Sequence, residues 1–173
     1  MERTPNGRHI VVGGRRWRAT DPGIPEKLRA ELVAGLMHAR RAVRTHAADA
    51  RPWVQDAKVA LGERGDPWWE PTDDGRSTRL AAAIRTILRG RPTGSMCPSE
   101  AARIAGGESW RALMPLVRER LVREIARAMH GAGEIRIQQG GLDAPPGVSG
   151  PIRLTPGPRC GAGIPLGEAP AYA

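Results

Sequence analysis

The chain has 173 residues, 40% of them hydrophobic, with a formal net charge of +9 and a pI near 11.2. That length allows one domain or two small ones. No apolar run approaches the ~20 residues that span a bilayer, and Cys97 and Cys160 are too few and too far apart for a disulfide framework. The opening Met-Glu-Arg-Thr-Pro has no apolar stretch, so a secretory signal is not expected and a soluble cytoplasmic protein is.

Five Trp, one Tyr and no Phe mean that the core is built from Leu, Ile, Val and Ala, with Trp as its few large anchors. The charge is unevenly placed. Residues 1–75 carry 13 Lys and Arg against 11 Asp and Glu, and residues 76–157 carry 13 against 6. A GC-rich genome explains Arg over Lys, but not the scarcity of acids in the second half. An excess of that kind suits a partner that is a polyanion.

Residues 8–20, RHIVVGGRRWRAT, place two short β patterns around Gly13-Gly14. Two glycines tolerate the positive φ of a primed hairpin turn, so a β-hairpin is predicted. Strand alternation is expected to put Trp17 on the core side, with Arg16 and Arg18 pointing away. Arg15, Arg16 and Arg18 read as a solvated face or as phosphate contacts, the former preferred. Leu28, Leu32, Leu36, Ala39 and Val43 then recur at helical spacing, which predicts a helix over 25–44 with Pro25 at its first position. Residues 45–52 read as a linker and 53–61 as a short helix stopped by Gly62.

Residues 61–71, LGERGDPWWEP, form a turn-rich loop. Trp68 and Trp69 beside Arg64 suit stacking on a base, a sugar or a partner. They equally suit large anchors pinning the loop to a core without Phe, and that reading is preferred. The turn cluster at 72–75 marks the expected boundary between a region at 1–75 and a second unit at 76–155. Ser77 is the expected cap of the next helix, whose stripe is Leu80, Ile84, Ile87 and Leu88.

After Pro92 and Gly94 a second helix is predicted from Pro98, with Glu100 in its first turn. Gly106-Gly107 is the turn and Ser109 the cap of a third helix over 109–129. Leu113, Val117, Leu121, Ile125 and Met129 form its apolar ridge and Arg120, Arg123 and Arg127 its opposite arc, and Pro115 gives a kink or a short first turn at 109–114 with the helix restarting there. Two alternating strands follow, around Ile135-Arg136-Ile137 and Ile152-Arg153-Leu154, with 139–150 as the loop between them. From 156 to 173 the composition lacks any period, and a disordered tail is expected. The fold class predicted is therefore α+β: a hairpin with helices, then a winged helix-turn-helix domain.

The segments CPSEAARIAGG, WRALMPLVRE, GEIRIQQGG and GPIRL resemble a domain-of-unknown-function family of small bacterial winged-helix-like proteins. GRRWRATDPGIPE, DAKVALGERG and PWWEPT resemble the amino-terminal part often joined to that domain. The resemblance covers roughly 6–155 and implies a fold but no catalytic residues. Some look-alikes carry a Tol-type biopolymer transporter label, which the lack of an apolar span argues against here. The sequence departs from the pattern over 120–131, about one helical turn longer, and in having no Phe.

His9, His38, His46, His130 and the two cysteines show no zinc spacing, and no nucleophile-elbow, Walker or dinucleotide motif occurs. A non-enzymatic protein without cofactor or metal is expected, binding nucleic acid, duplex DNA first. In a helix-turn-helix the start of the second helix meets base edges. That assigns Ser109 and Arg111 to bases, Arg118 to bases or, since its angle falls within the apolar arc, to a buried structural role, and Arg136 and Arg153 to phosphates from the strands. The alternative is a protein–protein adaptor or small-ligand protein using Arg64, Trp68 and Trp69.

Overall fold

The computed structural model describes residues 2–116 and 124–161. Its amino-terminal sheet has the strands β1 (Glu2–Arg3), β2 (His9–Val12) and β3 (Arg15–Arg18), antiparallel and in that order. Gly13 and Gly14 both have positive φ, 55° and 73°, so the predicted primed turn is there. β1 is an addition that two residues of sequence do not announce.

The sidedness of β3 is a correction. Trp17 is 50% exposed, not on the core side. The register pairs His9 with Arg18 and Ile10 with Trp17, and it is the first row that faces the body. Arg18 donates from Nη1 to the carbonyls of Gly65 and Asp66 at 2.7 and 3.1 Å. What lies under this hairpin is a loop backbone and an indole ring, so a cation fits inward better than an apolar side chain.

Helices α1 (Glu26–Ala42) and α2 (Ala47–Ala60) follow. α1 buries Leu28, Leu32, Leu36 and Ala39, the predicted stripe. α2 begins six residues before the expected start, with Pro52 inside it. Pro52 cannot bond the carbonyl one turn back. Burial of Ala50 and Trp53 against Ala39 and Ala42 of α1 outweighs that loss. α2 ends at Gly62 as predicted. Gly62, at φ 78°, lets its N–H reach Val59 O and lets Glu63 N reach Lys58 O, the paired bonds of a Schellman stop.

Helix α3 (Asp73–Arg89) is capped by Thr72, whose hydroxyl accepts from Gly75 N, rather than by Ser77. The expected boundary at 75/76 thus falls in the first turns of α3. Leu80, Ala83, Ile84, Ile87 and Leu88 are almost wholly buried, and α3 packs on α1, α2, α4 (Pro98–Gly106) and β6 (Arg153–Pro156). Each such Leu or Ile contributes about 1.5–3 kcal/mol. One buried cluster runs from Ile24 to Cys160 and draws on both halves of the chain.

α4 starts at Pro98 as predicted, with Glu100 accepting from Cys97 N at 2.7 Å. A single 3-10 turn at Gly107–Ser109 leads into α5 (Trp110–Leu116), so Ser109 lies in that turn. α5 and α6 (Ala126–Gly131) stand at the two ends of the expected third helix. Val117, Arg118, Arg120, Leu121 and Arg123 lie outside the described residues.

The second sheet has β4 (Ile135–Gln139), β5 (Leu142–Asp143) and β6 in the order β5-β4-β6, all antiparallel. Ile135, Ile137 and Leu154 are buried, Arg136 and Arg153 exposed, as the alternation predicts. β5 lies within the stretch expected to be loop. Gly140 and Gly141, at φ 59° and 85°, make a second primed turn. Met96, ahead of α4, exchanges both backbone bonds with Leu154 at 2.7 and 2.8 Å.

The expected tail from 156 is corrected over its first residues. Gly157 N donates to Glu134 O and Arg159 N to Gly133 O, and Cys160 is only 5% exposed. Backbone pairing, not an apolar period, holds this segment, so periodicity could not reveal it. Residues 162–173 lie outside the described residues.

Candidate functional site

The arrangement of charge sets the electrostatics. Most of the acids that pair do so in partly buried positions, and one pair is buried. Asp21 meets Arg79 at 2.8 Å, Asp56 meets Arg89 at 2.7 Å, and Glu134 meets Arg85 at 2.7 Å. Arg91 bridges Glu31 at 2.7 Å and Glu100 at 2.9 Å. Burial pushes the Asp56 carboxyl up, and Arg89 only partly offsets it. Burial acts the same way on Glu100, but bonds from Arg91 and Cys97 N outweigh it and hold that carboxyl below its usual range. In the second half Glu100 and Glu134 are therefore consumed by Arg91 and Arg85. Arg103, Arg111, Arg127 and Arg136 remain exposed, without an acidic partner among the described residues.

The turn into α5 carries an aromatic and two of these cations. The Arg103 and Arg111 guanidinium carbons lie 4.7 and 4.8 Å from the Trp110 ring centre. Such contacts hold the arginines in place without neutralising them. On the sheet, Arg136 stands opposite Thr155 and Arg153 opposite Gln138, sharing one face. Arg153 donates from Nε to Ser95 Oγ at 2.8 Å.

The tryptophan loop is pinned as an anchor would be. Trp68 Nε1 donates to Ala19 O at 3.0 Å, and the Trp68 and Trp69 rings meet edge-on at 5.1 Å. Both are half-buried. Arg64 is not their cation: its Nη1 donates to Gln55 Oε1 of α2 at 2.6 Å. Arg8 and Arg18 take that place, 4.8 and 5.7 Å from the Trp69 ring, with His9 edge-on at 5.6 Å.

The structure brings together two stretches that the sequence keeps 40 residues apart. Trp68, Trp69 and Pro71 line one wall of a groove of about 470 Å³. Gly106, Gly107, Ser109 and Leu113 of the α4–α5 turn line the other. Ser109 and the tryptophan pair thus border one groove. No spacing rule joins them, and none sets Trp110 beside Arg103 or Trp69 beside Arg8 and Arg18, because only tertiary packing brings those rings to those guanidinium groups.

A smaller recess of about 110 Å³ lies among Trp53, Arg85, Arg89, Arg159 and Cys160. Arg85 and Arg89 are paired there, and burial pushes the Cys160 thiol up to about 11, which disfavours its thiolate. Among the described residues no group of three or more His, Cys, Asp or Glu could hold a metal ion, and no helix is long and apolar enough to cross a membrane.

Residues 77–156 match the family described as Protein of unknown function (DUF3253). The matched span starts inside α3 and ends with β6, so it omits the amino-terminal sheet, α1 and α2. No curated protein matches the chain.

Proposed function

We propose that the matched region is a winged helix that binds nucleic acid, duplex DNA first, without enzymatic chemistry. The observation that carries this reading is the one-sided use of charge. Glu100 and Glu134 are taken up by partly buried pairs with Arg91 and Arg85, which leaves Arg103, Arg111 and Arg136 exposed without an acidic partner among the described residues. A surface of that kind displaces counterions from phosphates.

The element order supports the fold reading. α3, the Met96 pairing with Leu154, α4, the turn, α5 and α6, then β4 and β6 follow the order of a winged helix-turn-helix. Ser109 and Arg111 stand at the start of the helix that reads bases in such folds. Arg136 and Arg153 share the exposed face of the strand pair, where they suit phosphates.

Anisotropy of a labelled random-sequence duplex at low salt tests the proposal. The parent binds, Arg111→Ala/Arg136→Ala binds more weakly, and Arg40→Ala/Arg41→Ala on α1 binds like the parent. A parent that ignores duplex DNA at low salt ends the reading.

The groove beside Trp68 and Trp69 favours one second reading, a small-ligand site. An exposed tryptophan pair would have favoured an adaptor, and the half-burial of both rings does not. A ligand there quenches indole emission in the parent and not in Trp69→Phe.

A further inference from the structure

The amino-terminal sheet has two unlike faces. His9, Val11, Arg16 and Arg18 share the face turned to Trp69. The register puts Arg3, Ile10 and Trp17 in one transverse row on the other face, and Val12 with Arg15 in the next. Strands lie about 4.8 Å apart, so the row from Arg3 to Trp17 spans about 10 Å. Trp17 is 50% exposed and Val12 49%. The side chains of Arg3 and Arg15 are exposed and have no ion-pair or hydrogen-bond partner among the described residues.

A half-exposed indole on a sheet face leaves apolar surface in water with no packing gain on its outer side. Here it sits between two free cations and beside Ile10 and Val12, and residues 2–18 carry five Arg against Glu2. We infer that this outer face is a stacking platform for single-stranded nucleic acid, with a base on Trp17 and the flanking phosphates on Arg3 and Arg15. A base has an apolar π face and an anionic backbone, which is the complement of this row. Duplex DNA keeps its bases stacked inside and offers nothing to Trp17. The inference rests on the nucleic-acid reading above but assigns a different surface and a different form of the polymer: the platform would hold an unpaired strand, and the winged-helix face a duplex.

The test uses the full chain and three probes: labelled oligothymidylate, the random duplex, and vesicles containing phosphatidylserine. The parent binds oligothymidylate. Trp17→Ala weakens that binding about tenfold, the loss of one stacked base, and Trp17→Phe restores most of it. Arg3→Ala/Arg15→Ala makes the salt dependence shallower by about 1.4, two single-strand phosphates at about 0.7 each. Trp17 lies on a solvent face, so circular dichroism of each variant should match the parent. Unchanged oligothymidylate binding in Trp17→Ala overturns the platform, as does a parent that binds vesicles but no oligonucleotide. Duplex binding lost in Arg111→Ala/Arg136→Ala and kept in Trp17→Ala upholds the winged-helix reading whichever way the single-strand result falls.

Discussion

Arg79 and Asp21 form a buried ion pair, Nη2 to Oδ2 at 2.8 Å, with the two residues only 5% and 6% exposed. The pair joins α3 to the turn that leads into α1. Asp21 accepts from Gly23 N through its other oxygen, and Arg79 Nε donates to Ala60 O at the end of α2. Burial holds the Arg79 guanidinium below its usual range, with Asp21 opposing. Removing one partner leaves a buried charge alone. Asp21→Ala should therefore cost about 3–5 kcal/mol in denaturant unfolding. Asp21→Ala/Arg79→Met should cost less than the sum of its parts. A loss below about 1 kcal/mol for Asp21→Ala would describe an exposed pair, not this one.

Gly62 is the backbone stop that aims the tryptophan loop. Its φ of 78° excludes an ordinary side chain, and a Cβ there would meet Trp68 Cδ1 at 3.0 Å. Gly62→Ala should lower stability by about 1–3 kcal/mol and shift indole emission, because Trp68 must move. Unchanged stability would mean that the loop does not rest on this turn.

Cys160 docks under α3, and Arg89 Nε donates to its carbonyl at 3.1 Å. Burial pushes its thiol up to about 11, while Cys97 is only half-buried. At about pH 8, near the pKa of an ordinary thiol, a disulfide reagent should label Cys97 in the native protein and Cys160 only after unfolding. Fast labelling of both would show that the segment around Cys160 is not held against α3.

Local signals were legible where local physics decides. The helical stripe of α1, the turn at Gly13-Gly14, Pro98 with Glu100, and the alternation of β4 and β6 all read directly. Gly140-Gly141 carried the signal of Gly13-Gly14, but β5 is too short to show a period beside it. Pro52 misled because helix packing through Trp53 outweighs one lost backbone bond. Trp17 misled because alternation gives two faces but not which one meets the body, and here the body offers carbonyls and a ring that suit Arg18. Thr72 and Ser77 are both sound caps, and only the bond to Gly75 N separates them. The groove shared by Ser109 with Trp68 and Trp69, and the approach of Arg103 to Trp110, come from packing that no sequence spacing shows.

The salt dependence of duplex binding tests the central claim most directly. The four cations of this surface, Arg103, Arg111, Arg136 and Arg153, predict a log–log slope of about −3 to −4, at about −0.9 per phosphate neutralised. Arg111→Ala/Arg136→Ala should be shallower by about 2. Arg40→Ala/Arg41→Ala should keep the slope of the parent. A parent with no slope, or a double variant whose slope equals that of the parent, would contradict the assignment of the α5 start and the strand face as the surface that meets DNA.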